Sequence, residues 1–119
     1  MTNAFLESTL LGACPELRES WQEYRRTFAV GAAPDDQQLL DTVRRYVVQQ
    51  LAAGRVVEFS RVARTIERLF GEADPMLYEL LLDGLLLPLA RDVRSAHIAP
   101  SLVMPHLGAR TALAWPDAR

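Results

Sequence analysis

The sequence predicts an all-α protein that folds as a single compact domain. Apolar residues recur every three or four positions along most of the chain, which is the spacing expected where helices bury one face. Proline and glycine separate these stretches at positions that favour helix starts and stops. No stretch alternates apolar and polar residues as a strand does. The β-branched pair Val56-Val57 is the nearest candidate, and it is too short to form a strand.

Two helices are predicted near the N-terminus. Asn3 can cap the first helix, and Gly12 is placed to end it. Pro15 suits the first turn of the second helix, where its missing N–H costs nothing. The inward face of this second helix is expected to carry four large residues, Leu17, Trp21, Tyr24 and Phe28.

A third helix is predicted after the break Gly31-Ala32-Ala33. Pro34 is expected at its first position, and Asp35 and Asp36 suit its first turn because their charges oppose the positive end of the helix dipole. Gly54 has the position of a C-terminal stop.

A fourth helix is predicted from Glu58 to Phe70, and Gly71 is placed to end it. Its apolar residues recur on one face, which should turn toward the core. The opposite face should then carry three arginines, Arg61, Arg64 and Arg68.

A fifth helix is predicted after Asp74-Pro75, a carboxylate cap followed by proline. Its most apolar part, Tyr78 to Ala90, is interrupted by Gly84 and Pro88. Proline removes a helical hydrogen bond, so Pro88 either kinks this helix or starts another, and the sequence leaves both alternatives open.

The C-terminal tail should form short helical turns, because Pro100, Pro105 and Gly108 interrupt it. Its last segment, Thr111 to Trp115, is expected to pack back on the body of the protein. The chain is therefore predicted to have about five main helices, and its tight junctions favour an irregular orthogonal bundle.

Composition supports one domain over residues 1–119, since a chain of 119 residues with 50% hydrophobic content can bury a core without metals or disulfides. The formal charge of −2 argues against a dedicated nucleic-acid binder. The lone Cys14 and the absence of a signal-peptide pattern favour the cytoplasm. The apolar stretch Leu77 to Ala90 is shorter than the roughly 20 residues of a membrane span, so no membrane association is predicted.

No catalytic, cofactor or metal site is predicted, so the chain is not expected to be an enzyme. His97 and His106 are too far apart in sequence, and too far from Cys14, to match a zinc-binding pattern. Nucleophile-elbow, phosphate-loop and dinucleotide motifs do not occur.

Charged and aromatic surface residues are the candidates for binding a partner. Glu79 and Asp83 lie four positions apart on one predicted helical face and interrupt an apolar run, so they can steer a basic partner or mark the exposed side of the helix. Trp115 is either a cover on the core or an interface anchor. The hypothetical partner-binding set is Glu72, Asp74, Glu79, Asp83 and Trp115.

The three arginines of the fourth helix have two interpretations. Pairs within the helix, Arg64 with Glu67 and Arg68 with Glu72, explain them as an ordinary solvated face, and this interpretation is favoured. The alternative is a helix-turn-helix regulator that binds DNA.

The order of motifs resembles a family of small, uncharacterised all-helical bacterial proteins, some of which look like immunity proteins encoded beside polymorphic or contact-delivered toxins. The resemblance spans residues from about Leu10 to Trp115. It is carried by structural motifs: Pro15-Glu16-Leu17-Arg18 before Trp21 and Tyr24, the helix from Phe59 to Phe70, Tyr78-Glu79-Leu80-Leu81, and Pro105-His106-Leu107-Gly108.

The resemblance implies a bacterial cytoplasmic protein that binds a cognate toxin one-to-one and blocks it, with no enzyme activity. The partner would be that toxin or another protein, and the chain would be a monomer or a homodimer. The alternative is a non-catalytic helical scaffold that associates with itself.

Overall fold

The computed structural model describes residues 4–28 and 35–116, which contain helices and no strand. Its radius of gyration of 14.0 Å is close to the value of about 13.5 Å expected for a compact domain of this length. The all-α prediction is confirmed. The described residues form seven α-helices: α1 Ala4–Ala13, α2 Pro15–Arg26, α3 Asp36–Ala52, α4 Val56–Glu72, α5 Pro75–Leu81, α6 Leu87–Ser95 and α7 Ala109–Ala114.

Helix α4 lies at the centre of the fold and contacts α1, α3 and α7. Its predicted inward face is confirmed, and the side chains of that face are almost fully buried. They are Phe59, Val62, Ala63, Ile66, Leu69 and Phe70. Burying large apolar side chains contributes about 1.5–3 kcal/mol each, so this helix organises the core.

The start of α3 differs from the prediction. The helix begins at Asp36, whereas Pro34 was expected at its first position; Asp35 caps it, and the Asp35 carboxylate accepts a hydrogen bond from the Gln38 N–H. The Gln38 side chain accepts one from the Asp35 N–H in return, at 2.7 Å. This reciprocal capping box fixes the first residue of the helix as Asp36. Pro34 lies outside the described residues.

Several predicted boundaries move by one or two residues. Helix α1 continues through Gly12 to Ala13, and α4 begins at Val56 and continues through Gly71 to Glu72. The predicted cap Asn3 and the break Gly31-Ala32-Ala33 lie outside the described residues.

The inward face predicted for α2 is only partly buried. Trp21 is buried and Leu17 half-buried, whereas Tyr24 is exposed. The prediction is wrong for Tyr24, since its ring lies at the surface beside the half-buried Phe28.

Gly54 ends α3 as predicted, at a left-handed φ of 77° that glycine adopts without strain. The Gly54 N–H donates to the Leu51 carbonyl and the Arg55 N–H donates to the Gln50 carbonyl. These two bonds form a Schellman motif. The motif lies in the three-residue turn, residues 53–55, that joins α3 to α4.

Pro88 is the second residue of α6, and this helix continues from α5 without a break in the helical backbone. The backbone stays helical from Pro75 to Ser95, and a π-helical segment at Leu82–Leu86 joins α5 to α6. The Leu87 N–H donates to the Leu82 carbonyl, five residues earlier, just before the proline. The wider π turn accommodates a residue that cannot donate a helical hydrogen bond.

The tail contains the short helical turns that its prolines predict. Two 3₁₀ turns, Pro100–Leu102 and Met104–His106, precede α7. Trp115 is half-buried and packs against the core, as expected for the end of this segment. No helix in residues 4–28 and 35–116 is long and apolar enough to cross a membrane.

Candidate partner-binding surface

Helix α7 is held against α4 by one carboxylate. Glu67 of α4 accepts hydrogen bonds from the Arg110 N–H at 3.1 Å and from the Thr111 N–H at 2.9 Å. The Thr111 hydroxyl and the Arg110 guanidinium also donate to this carboxylate, at 3.1 and 3.2 Å. A carboxylate at the N-terminus of a helix satisfies its free N–H groups and opposes the positive end of its dipole.

Two glycines let the chain approach this carboxylate closely. A Cβ at Gly108 would overlap the Glu67 side chain, and a Cβ at Gly71 would lie 3.2 Å from the Arg110 guanidinium carbon. Gly108 immediately precedes α7, so the absence of a side chain there lets Glu67 reach the helix N-terminus. Burial raises the pKa of Glu67, but these hydrogen bonds outweigh it and hold the pKa below its ordinary value.

The docking of α7 creates an apolar groove, which we call the α7 groove. It has a volume of about 370 Å³ and is lined by Phe70, Tyr78, Arg110, Leu113 and Ala114. The Phe70 and Tyr78 rings meet edge to face with their centroids 5.1 Å apart. Leu113 is 89% exposed and Tyr78 is 38% exposed, so the groove presents large apolar side chains to solvent.

The residues of the hypothetical partner-binding set are spread from the end of α4 to the residue after α7. They differ in whether their side chains already contact other groups of the protein. Glu72, Glu79 and Asp83 are exposed and form no ion pair with any residue that the structure describes. Asp74 caps α5 by accepting from the Leu77 N–H at 2.8 Å, which gives this carboxylate a structural role. Trp115 is half-buried and packs on the core, so part of its side chain already has a structural role.

The most exposed apolar residue of this surface, Leu113, was not predicted from the sequence. Leu113 lies in a short alanine-rich helix, and its position relative to Tyr78 depends on the contact between Glu67 and Thr111, 44 positions apart. The apolar pair Leu113 and Ala114 next to Trp115 was the signal available in the sequence.

Both intrahelical pairs expected for the arginines of α4 are absent from the described residues. Glu67 is engaged by α7, and neither Arg64 nor Arg68 lies within ion-pair distance of an acid there. The prediction that these pairs neutralise Arg64 and Arg68 is therefore wrong.

The other candidate groups have structural roles. Cys14 is buried, and this burial, together with the nearby Glu16 charge, raises the pKa of its thiol to about 12. The Tyr46 hydroxyl donates to Glu16 at 2.9 Å. His106 meets the Phe59 ring edge to face with centroids 5.9 Å apart. In the described residues no three histidine, cysteine or acidic side chains are grouped as a metal site.

A second cleft lies between α2 and α3 and has a volume of about 300 Å³. This cleft is lined mainly by polar groups, two of which are joined to a third: the Gln38 amide donates to the Tyr24 hydroxyl at 3.3 Å, and the Thr42 hydroxyl donates to the Gln38 carbonyl at 2.8 Å. We therefore place the candidate surface at the α7 groove.

Comparison with protein-family models, with curated proteins and with solved structures finds no match for this chain.

Proposed function

We propose that this chain is a non-catalytic binding protein of the immunity type. It neutralises a cognate bacterial toxin in the cytoplasm by forming a one-to-one inhibitory complex with it. The proposed contact is the α7 groove together with the exposed acids Glu72, Glu79 and Asp83. The observation that carries the proposal is the exposure of Leu113, 89% of whose surface faces solvent beside a groove lined by aromatic rings.

An exposed leucine alone is ordinary at a protein surface, but Leu113 shares its groove with the rings of Phe70 and Tyr78. Aromatic and aliphatic side chains around a groove are typical anchors of protein interfaces. Full burial of one leucine side chain against a partner contributes about 2 kcal/mol, which corresponds to roughly 30-fold in affinity.

Exposed acids on α4 and α5, the helices that carry Phe70 and Tyr78, favour a basic partner, since the Arg110 guanidinium that lines the groove is already paired with Glu67. Glu72 ends α4, and Glu79 follows Tyr78 directly on α5. Since neither carboxylate is paired with a described residue, binding a basic surface does not require breaking an existing ion pair. Exposed charges of this kind raise the association rate and its dependence on salt more than the final affinity.

The first test is rescue of growth. The reading frame adjacent to the gene is induced alone and then together with this protein in the same host. Toxicity that this protein relieves is the expected result. A harmless neighbour, or toxicity that persists, contradicts the proposal and favours the self-associating scaffold, which light scattering would then detect as an oligomer.

The second test maps the surface by calorimetry with the purified toxin domain. Leu113→Ser should weaken binding about 30-fold, because the variant loses an apolar anchor. Val57→Ser is the matched control, since Val57 is 76% exposed but lies at the opposite end of α4 from Phe70. Equal effects of the two variants would exclude the α7 groove as the interface.

A further inference from the structure

The outward face of α4 is a line of unpaired positive charge. With 100° between successive residues, Val57, Arg61, Arg64 and Arg68 fall within an arc of about 60° on one side of the helix. All four are exposed, and the first three line a shallow groove of about 420 Å³ with Thr65. We call the set Arg61, Arg64 and Arg68 the arginine face.

No acid in the described residues is within ion-pair distance of the arginine face. Glu67 is held by the N-terminus of α7, on another side of α4. Glu16 senses the charge of Arg61 without an ion pair: its own backbone N–H and the Tyr46 hydroxyl lower its pKa most, and Arg61 adds a smaller contribution. Three guanidinium groups therefore remain available to an external anion.

The spacing of these groups suits a chain of phosphates. Seven residues of helix separate Arg61 from Arg68, a rise of about 10 Å. Successive phosphates on one strand of B-form DNA advance by about 3.4 Å along the duplex axis, so a length of about 10 Å covers about three such steps and three arginines can each contact a phosphate. We propose that the arginine face binds the phosphate backbone of nucleic acid, without reading its sequence.

An acidic protein is the weaker candidate for this face. Exposed charge pairs between proteins contribute little, and among the described residues Val57 alone offers a large exposed apolar side chain in the groove beside the arginines. A polyanion differs because each neutralised phosphate releases condensed counterions, so a few arginines alone give measurable binding. The net charge of −2 does not prevent this, because charges beyond about 10 Å are screened at 0.1 M salt.

The test is fluorescence anisotropy with a labelled 20-base-pair DNA duplex of random sequence, titrated with the full chain between 50 and 200 mM salt. Three phosphate contacts predict a slope of about −2.7 in log K against log salt, which is a loss of about 40-fold over that range. The triple variant Arg61→Gln, Arg64→Gln, Arg68→Gln should lose nearly all of this binding and its salt dependence.

The matched control is the triple variant Arg18→Gln, Arg91→Gln, Arg94→Gln. It removes the same number of positive charges, three, from exposed positions on α2 and α6. Its affinity for the duplex at 50 mM salt should be within about twofold of that of the unmodified chain, because salt screens charges that lie far from the bound DNA. The triple variant Arg61→Lys, Arg64→Lys, Arg68→Lys should keep the slope of log K against log salt, because that slope depends on the number of phosphates neutralised and lysine keeps the positive charge.

Equal loss in the control variant would show that net charge alone governs binding and would overturn the proposal, as would binding that the arginine-face variant retains. Polyglutamate that displaces the duplex at equal charge concentration would also overturn it, in favour of an acidic protein. Because the α7 groove is intact in the arginine-face variant, that variant should still neutralise the toxin, so the two proposals fail separately.

Discussion

The side-chain amide of Gln37 donates a hydrogen bond of 3.0 Å to the main-chain carbonyl of Gly84. This carbonyl lies four residues before Pro88, so in a regular helix its donor would be the N–H that proline lacks. Gln37 on α3 therefore supplies a donor to the helix it packs against. Gly84 permits the approach, since a Cβ there would lie 2.6 Å from the Gln37 Oε1 atom.

A double-mutant cycle tests this relationship. Gln37→Ala should lower the free energy of unfolding by about 1 kcal/mol, the usual contribution of a hydrogen bond. In a Pro88→Ala background the main chain can donate to Gly84 itself, so the same substitution should cost at least about 0.5 kcal/mol less. Urea unfolding of the four proteins measures the coupling, and purely additive effects would show that Gln37 does not compensate for the proline.

Cys14 should be unreactive in the native protein. Its side chain is fully buried and the pKa of its thiol is raised to about 12, so very little nucleophilic thiolate exists at pH 8. Labelling with a thiol reagent should proceed only as fast as the protein opens. Protein unfolded in guanidinium, where the thiol is exposed, should react at once under the same conditions. Equally fast labelling of the folded protein would contradict the buried position.

Local signals in the sequence predicted the helices well, and distant contacts explain what they missed. The periodicity of α4 placed Phe59 and Leu69 in the core, and Gly54 marked a helix end, because each signal acts within a few residues. Glu67 was expected to pair with Arg64 three positions away, but it contacts Thr111 instead. A carboxylate has several possible partners, and only the tertiary fold selects among them.

The candidate surface was predictable only in part. The exposure of Glu79 and Asp83 follows from acids interrupting an apolar helix. Leu113 gave no comparable signal, because leucine is usually buried and nothing within its short helix indicates that 89% of this side chain faces solvent. The π segment was also missed, since its position depends on how Gln37 and Gly84 meet as well as on Pro88.

His97 occupies a position that glycine usually fills. It has a left-handed φ of 57° and lies just after Ala96, the C-cap of α6, and its N–H donates to the Arg94 carbonyl. The Ile98 N–H donates to the Val93 carbonyl, which completes a Schellman motif. A side chain in this conformation is strained, whereas glycine is not.

His97→Gly should therefore raise the free energy of unfolding by about 0.5–1 kcal/mol, despite the greater freedom of glycine in the unfolded chain. Gly54→Ala provides the opposite case, since it places a Cβ at a φ of 77° in the same motif, and it should lower stability by about 1 kcal/mol. Thermal and urea unfolding measure both. A His97→Gly protein less stable than the unmodified chain would show that the imidazole makes a stabilising contact.

The Glu67 carboxylate should make stability depend on pH in the acidic range. Its pKa in the folded protein is below the ordinary value of 4.5, so the unfolded chain binds the proton more readily than the folded one. The stabilisation is fully present above pH 4.5 and is lost as the pH falls through the lower folded pKa. The side chain is 19% exposed, so solvent screens these contacts only in part.

Glu67→Gln should lower the free energy of unfolding at pH 7 by about 1 kcal/mol, the usual effect of losing a helix cap, because the amide keeps only one acceptor oxygen and no charge. The difference from the unmodified protein should shrink as the pH falls below 4.5 and through the lower pKa of the folded protein, because the carboxyl then becomes protonated in both states. Glu72→Gln removes an exposed, unpaired carboxylate from the same helix and should change stability at pH 7 by less than about 0.5 kcal/mol. Urea unfolding across this pH range distinguishes the outcomes: a constant Glu67→Gln difference would mean that packing, rather than charge, holds α7 against α4.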